Sequence, residues 1–420
     1  MADFANHFAG AKRKQKARNV KPMSKKKIQD LTNLRNHRVL IRVDFNVPLD
    51  DQGNISNDRR IRAALPTIRY VLDGGGSAIV MSHLGRPKGD PKKDTIYRMD
   101  QVGRRLGELL GKPVIKSDEV VGAKVKSAAQ NLKPGQVLLL ENLRFHPGEH
   151  KGDESFAREL AGLADIYVND AFGTCHRTDA SMVAVPRAMA GKPRVVGFLV
   201  AKELEILGKL MSSPHRPLIG ILGGAKVSDK IGFIKSLLSQ VDRLLIGGAM
   251  SYTFMKAQGR SVGNSKVEAD KLEVARELLD SGQPRIVLPE DHLIVEQIDS
   301  PAGAKTVPGD IPEGWVGVDI GAKTIARYEQ EIAQAGMVVW NGPMGKFEDE
   351  PYSRGTRAIA EAMARCPGVT VVGGGETAEA VEDFGLAERM NHVSTGGGAF
   401  LEFIEGTPFP ALDQIDDKTS

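Results

Sequence analysis

The sequence predicts an α/β protein built on parallel sheets and divided into two domains. Three observations carry that reading. Short apolar, β-branched runs recur along the chain without alternation, as parallel strands buried on both faces require. Each run is followed by a polar or glycine-rich turn and then a helix-like stretch, the rhythm of sheets covered by crossover helices. Near the middle that rhythm breaks at the turn-rich stretch SSPHRP (212–217).

In the first half the expected strands are RVLIRVDFNVP (38–48), SAIVMSHLGRP (77–87), QVLLLENLRF (136–145), ADIYVNDAFG (164–173) and RVVGFLV (194–200). In the second half they are PLIGILGGAK (217–226), DRLLIGGAM (242–250), RIVLPED (285–291), MVVWNGPMG (337–345) and VTVVGGGET (369–377). Ten strands are many for one compact sheet, although one continuous sheet is the alternative. Between the halves LVAKELEILGKLM (199–211) reads as a helix, with Val200, Leu204, Leu207 and Met211 on one face. Residues 28–199 and 215–404 are the two expected domains, with 200–214 as the link between them.

The 420 residues suit two or three domains, and 41% hydrophobic with 26% charged residues is ordinary for a soluble protein. No apolar run reaches the roughly 18 residues of a membrane span, so no membrane partner is expected. Cys175 and Cys366 are the only cysteines. They form no CxxC pair and suggest a reducing, cytoplasmic setting. The net charge of +4 hides an asymmetry. Residues 1–27 hold nine Lys or Arg against Asp3 alone, a charge of +8 that leaves −4 on the remainder. This basic segment lacks the apolar core of a secretory signal and reads as a solvated, disordered extension. No nucleic-acid partner is expected, although the basic segment leaves a nucleic-acid-binding arm open as the alternative.

Ligands of open parallel sheets bind beyond the carboxyl ends of strands. In the first half those positions carry charge: Asp44 and Asn46, then His83 and Arg86, then Arg144, then Asn169 and Asp170 with His176 and Arg177 beyond, and DRRIR (58–62). Each alone is more often a surface charge. Four strand ends that agree point to a cationic site for a small, multiply charged anion, since arginine matches carboxylate and phosphate oxygens in pairs. In the second half the same positions carry glycines: GGAKVSDK (223–230), GGAM (247–250), NGPMG (341–345) and GGGET (373–377). Each alone suits a tight turn. Together, with Lys226 and Lys230, they suit phosphates held on backbone amides at helix starts, and an acid beside such a loop can hold Mg²⁺. No Walker-type GK[ST] and no GxGxxG occurs, which argues against a P-loop and a dinucleotide fold. An anion site on one half and a nucleotide site on the other point to phosphoryl transfer across a cleft.

The blocks RVDFNVP, SHLGRP, ENLRF, YVNDAFGT, GGAKVSDK, VWNGPMG, GGGET and HVSTGGGA, in that order from about residue 28 onward, resemble the phosphoglycerate kinase family. The resemblance implies two doubly wound, Rossmann-like domains that bend about a hinge to close a deep cleft. It implies reversible phosphoryl transfer between 1,3-bisphosphoglycerate and MgADP by a monomer. It places Asp44, Phe45, Asn46, Arg60, His83, Leu84, Gly85, Arg86, Arg144 and Arg177 at the phosphoglycerate. Arg60, Lys226, Gly374 and Gly397 are placed at the transferring group, with Gly396 and Gly398 near it. Gly224, Lys226, Lys230, Gly247, Gly248, Gly317, Asn341, Pro343, Glu348, Gly374, Gly375, Glu376 and Thr377 are placed at the nucleotide, and Glu376 at Mg²⁺. Residues 405–420 are implied to pack back on the first domain. Three positions depart from the family pattern: Glu376 where Asp is usual, Asp179 where a second histidine is common, and Lys346 where an apolar residue is usual.

Overall fold

A computed structural model describes residues 24–89 and 93–418. Its strands are β1 (Arg38–Val43), β2 (Ser77–Met81), β3 (Val114–Lys116), β4 (Val137–Leu139), β5 (Ile166–Asp170), β6 (Arg194–Val196), β7 (Leu218–Leu222), β8 (Arg243–Ile246), β9 (Ile286–Val287), β10 (Asp291–Val295), β11 (Lys305–Pro308), β12 (Val316–Ile320), β13 (Met337–Asn341), β14 (Val369–Gly373) and β15 (His392–Val393). Two six-stranded sheets run in the orders β3-β4-β2-β1-β5-β6 and β15-β14-β13-β7-β8-β9. Every pairing within them is parallel.

All ten expected strands are present, and both sheets are doubly wound. In the first sheet the chain steps from β1 toward β2, β4 and β3, then returns to place β5 on the other side of β1. In the second it steps from β7 to β8 and β9, then returns to place β13 beside β7. Each return makes a switch point where two loops part and leave a crevice. The first crevice lies at the ends of β1 and β5, and the second at the ends of β7 and β13.

Five strands lay outside the expectation. β3 and β15 are edge strands of three and two residues, too short for a hydrophobic pattern. The others form an antiparallel sheet, β11-β10-β12. Its edge strand β11 is largely exposed, so it lacks the apolar run that marks a buried strand.

The linking helix spans Phe198–Ser212 and buries Val200, Ala201, Glu203, Leu207 and Leu210. Leu204 and Met211, expected on the apolar face, are half-exposed; Leu210 takes the buried place, along with the carboxylate of Glu203. One hydrophobic cluster runs under this helix from Leu40 and Tyr167 to Leu222 and Phe233, so the core is continuous between the sheets.

Both ends of the described chain meet at the first sheet. Val196 N–H donates to Lys26 O at 2.9 Å, and Lys26 N–H donates to Asp416 O at 2.8 Å. Arg194 grips Asp416 Oδ1 at 3.0 and 2.7 Å, and Phe409 packs on Phe172 at 5.6 Å between ring centroids. The extension read as 1–27 is therefore too long: Lys25, Lys26 and Lys27 are stitched into the fold by backbone pairing. The rest of that reading lies outside the described residues. Among the described residues no helix is long and apolar enough to cross a membrane.

Candidate active site

β1 delivers Asp44, Phe45 and Asn46 to the first switch point. Asp44 Oδ2 accepts from Arg60 Nη1 at 2.7 Å, at the start of the helix Arg59–Asp73. Burial disfavours the Asp44 carboxylate, but the charges of Arg60 and Arg42, with the hydrogen bond from Asn46 N–H, outweigh it and hold its pKa below the ordinary value. Asn46 N–H donates to Asp44 Oδ1 at 3.2 Å, and Asn46 Oδ1 accepts from Gly85 N–H at 2.8 Å. The loops after β1 and β2 are thus fixed to each other. Phe45 and Leu84 are buried; their amides are held by Ser82 Oγ at 2.8 Å and Asn142 Oδ1 at 3.1 Å.

His83 is buried with Nδ1 3.2 Å from Arg42 Nη2. Burial drives its pKa well below the ordinary value, so the imidazole is neutral and accepts from the guanidinium. Arg42 is itself fully buried. It also donates to Ser181 Oγ at 2.8 Å, which donates in turn to Glu149 Oε1 at 2.6 Å. Sequence reasoning missed this pillar, although an arginine inside the apolar run RVLIRV was the available signal.

Arg144 Nη1 donates to Gly85 O at 2.5 Å, but its Nε is buried without a partner among the described residues. The same holds for Arg177 Nε and His176 Nδ1. Burial, and then the charge of Arg177, push the Arg144 pKa down. Buried guanidinium nitrogens that lack acceptors, beside a second cation, are the electrostatic imprint of an anion. The Asp179 departure has a compensating logic. Its carboxylate favours the charged form of Arg144 and accepts from His150 Nδ1 at 3.3 Å. Arg86, on the loop after β2, is exposed.

Asn169 and Asp170 do not belong to the site as expected. They are the last two residues of β5, fully buried. Asp170 Oδ1 accepts from Leu199 N–H at 3.0 Å and Val200 N–H at 3.4 Å, so it caps the linking helix. Burial pushes its carboxyl up to about 7.

On the second sheet the loops after β7, β8 and β13 pack backbone on backbone. Gly224 N–H donates to Pro343 O, and Gly248 N–H to Met344 O, each at 2.8 Å. A Cβ on Gly223 would fall 2.0 Å from Pro343 O, and one on Gly248 2.4 Å from Gly224 N. These glycines are demanded first by loop packing. Gly375, Gly397 and Gly398 differ: a Cβ on any of them meets nothing within 4 Å. Gly375 and Gly398 begin the helices Gly375–Asp383 and Gly398–Glu405, whose first N–H groups and dipoles favour anions.

Lys230 is half-buried and donates to Gly223 O at 2.7 Å and Asn341 O at 3.2 Å. Burial lowers its pKa from the ordinary 10.5 to about 8, against the opposing pull of Glu376 and Asp229. Above that value the free protein loses this ammonium, so the KM for ADP is expected to rise as pH climbs from about 7.5 to about 9.5. A flat steady-state profile over that range would show that Lys230 keeps its proton. Lys226 is exposed and makes no hydrogen bond or ion pair among the described residues. Asn341 Nδ2 donates to Gly373 O at 2.9 Å. The buried Thr377 hydroxyl accepts from Gly342 N–H at 2.6 Å and braces that loop, while its own O–H remains able to donate. Gly317 on β12 lies against Tyr252, and Gly247 against Met344. Glu348 is exposed near by, and Lys346 is paired with Asp349 at 2.5 Å.

Among the described residues no three His, Cys, Asp or Glu side chains converge to hold a metal. One carboxylate stands at the phosphate-type helix start, the exposed Glu376, close enough to act on Lys230. Mg²⁺ that arrives on nucleotide phosphates keeps most of its water and takes one or two carboxylates. The residues present fit that mode of binding.

The two half-sites approach each other near the hinge. A Cβ added at Gly173 would lie 2.8 Å from Asp44 Oδ2 and 3.6 Å from Gly396 O. Arg59, next to Arg60, reaches the second domain: it pairs with Glu382 at 2.8 Å and donates to Val393 O at 2.8 Å. A second cross-link, also missed from sequence, is the fully buried Glu203. It meets His392 Nε2 at 2.8 Å and accepts from Ser394 Oγ and Thr395 N–H at 3.0 Å each.

A family model for phosphoglycerate kinase matches residues 28–407. The phosphoglycerate kinase of Anaeromyxobacter dehalogenans (strain 2CP-C) is 53% identical over 393 residues, 92% of this chain and 98% of that protein. That of Rhodopirellula baltica is 52% identical over 398 residues, 94% of this chain and all of that protein. Among solved structures, the phosphoglycerate kinase of Coxiella burnetii superposes with a TM-score of 0.81 at 39% identity, over 93% of this chain and 98% of that one. The enzyme from Pyrococcus horikoshii OT3 gives 0.81 at 32% identity, over 92% and 98%. With two doubly wound sheets, a cationic site on one and open helix starts on the other, the chain belongs to the phosphoglycerate kinase family.

Proposed function

We propose that the two switch points form one transfer site, in which the first sheet holds phosphoglycerate and the second holds the nucleotide. The enzyme is a glycolytic kinase that moves a phosphoryl group reversibly between 1,3-bisphosphoglycerate and ADP, giving 3-phosphoglycerate and ATP. The observation that carries the site assignment is a set of buried nitrogens, Arg144 Nε, Arg177 Nε and His176 Nδ1, that have no hydrogen-bond partner among the described residues. They follow β4 and β5 of the first sheet, where the ends of β1 and β2 carry Asp44 and His83 and the helix after β1 carries Arg60.

In this reading Arg144, Arg177, His83 and Arg86 take the phosphate and carboxylate of phosphoglycerate. Asp44 and Asn46 orient it, and the backbone of Phe45, Leu84 and Gly85 shapes the pocket. Lys230 and the amides near Gly224, Gly374, Gly375 and Thr377 take nucleotide phosphates. Gly247, Gly248, Gly317, Asn341 and Pro343 line the base side, and Glu348 faces the ribose. Glu376 would hold Mg²⁺, which neutralises phosphate charge when bound. Arg60 from one domain and Lys226 from the other would meet at the moving phosphoryl group, with amides at Gly374, Gly397 and Gly398 around it, while Gly396 N–H is held by Ser394 Oγ at 3.0 Å. Positioning and charge neutralisation supply the rate, and no protein base is needed when a phosphate oxygen of ADP attacks. Closure about the linking helix would bring the halves together and exclude water. Both half-sites come from one chain, which supports a monomer, and two free cysteines support a cytoplasmic setting.

Steady-state kinetics of Arg144→Ala and Arg177→Ala test the assignment. The KM for 3-phosphoglycerate is expected to rise by about 100-fold or more, with the KM for ATP little changed. Unaltered 3-phosphoglycerate kinetics in both variants would remove the anion site from this sheet. Glu376→Asp is expected to shift the Mg²⁺ concentration for half-maximal rate while leaving the KM for 3-phosphoglycerate unchanged. An unchanged Mg²⁺ titration would take the metal away from this carboxylate.

A further inference from the structure

Lys226 stands on a short arch in the loop after β7. Gly224 holds the near end of the arch. Its N–H donates to Pro343 O at 2.8 Å and its carbonyl accepts from Met250 N–H at 3.0 Å. Ala225 and Lys226 follow, both exposed and without a hydrogen bond among the described residues. The fully buried Val227 and the turn Ser228–Lys230 then lead into the helix Ile231–Leu238. A carboxylate 40 residues beyond Ser228 holds this far end. Glu268 Oε2 accepts from Val227 N–H at 2.5 Å and from Ser228 N–H at 3.1 Å, and Glu268 Oε1 accepts from Ser228 Oγ at 2.5 Å. Burial disfavours the Glu268 carboxylate, but the Ser228 hydroxyl and the amides of Ser228 and Val227 hold its pKa below the ordinary value. Glu268 is itself anchored. Its N–H donates to Thr253 Oγ1 at 3.1 Å, on the helix Met250–Ala257 that follows β8. Its neighbour Val267 packs against the cluster that holds Tyr252 and Met255.

We propose that Glu268 is a positioning residue for phosphoryl transfer, an inference that rests on reading Lys226 as a cation at the moving group. By taking the two amides that directly follow Lys226, it fixes the direction in which the ammonium leaves the chain. An exposed arch of two residues has no packing of its own, so its two ends set its shape. The Gly224 end is backbone against backbone; the Glu268 end is the one a side chain supplies. Without that carboxylate the two amides turn to water and the arch gains conformers. A cation that must meet developing charge then loses rate before it loses binding. The buried Val227 side chain limits the drift, so the loss stays below the roughly 100-fold that a misplacement of about 1 Å can cost.

Steady-state kinetics of Glu268→Ala in the wild-type and Lys226→Ala backgrounds test this, at saturating 3-phosphoglycerate and MgATP. Glu268→Ala is expected to lower kcat about tenfold and to leave both KM values within about threefold. In the Lys226→Ala background the same change is expected to alter kcat by less than about twofold, because no ammonium is left to misplace. Glu268→Gln keeps an oxygen for both amides and offers its NH₂ to Ser228 Oγ, so it is expected to retain about half of the wild-type kcat or more. If Glu268→Ala unfolds, Glu268→Asp carries the same cycle, since a carboxylate drawn back by one methylene cannot span the amides and the hydroxyl. An equal loss in both backgrounds would overturn the proposal, because Glu268 would then act without Lys226. So would an unchanged kcat, or a raised KM for ATP at wild-type kcat. Wild-type kcat in Lys226→Ala alone would instead remove the reading of Lys226, and this inference with it.

Discussion

Lys226→Ala is expected to lower kcat by about 10²–10³-fold and to leave the KM of each substrate within about threefold. The ammonium sits on the loop after β7, exposed and without a partner among the described residues. Nothing in the unliganded fold depends on it, so its loss should not disturb stability. A group with no ground-state partner that faces a site of charge redistribution acts mainly in the transition state. Stopped-flow or coupled assays under saturation check this. A variant with wild-type kcat and a raised KM for ATP would make Lys226 a nucleotide-binding residue instead.

Glu203→Ala is expected to destabilise the protein by about 3–5 kcal/mol in urea denaturation. Glu203 is fully buried and serves His392, Ser394 and Thr395 at once. Its removal strips three polar groups of their acceptor in a place water does not reach easily. Because these partners lead directly into Gly396–Gly398, the variant should also lose turnover through misplaced amides. Glu203→Gln, which keeps the shape and two of the acceptor contacts, should recover part of both. A loss below about 1 kcal/mol for Glu203→Ala would mean the link is held by the apolar core beneath the helix alone.

These two residues show where sequence was legible and where it was not. The strands were readable because a parallel strand buried on both faces must be a continuous apolar run, as in SAIVM and LIGIL. The site was readable from position: charge after strands in one half and glycine after strands in the other. Lys226 was singled out by that position alone. Glu203 was not, because a glutamate on a helix reads as solvated, and its partners lie almost 190 residues downstream. The glycines divide in the same way. Gly223 and Gly375 look alike in sequence, yet a Cβ on the first collides with Pro343 and a Cβ on the second meets open space. Only the fold separates a glycine that packs from a glycine that faces open space. The brace that the Thr377 hydroxyl gives Gly342, which follows a different strand, was equally invisible in sequence. β3 and β15 are too short to carry a period at all.

The central claim is that Arg60 from the first domain and Lys226 from the second act on one transferring group. A double-mutant cycle on kcat, with Arg60→Ala, Lys226→Ala and the pair, measures this directly using 3-phosphoglycerate and MgATP at saturation. If both cations act on the same phosphoryl group, the effects will be strongly non-additive, and the double variant will fall little below the worse single one. If the two losses simply multiply, Arg60 and Lys226 act independently and the shared transfer site is wrong.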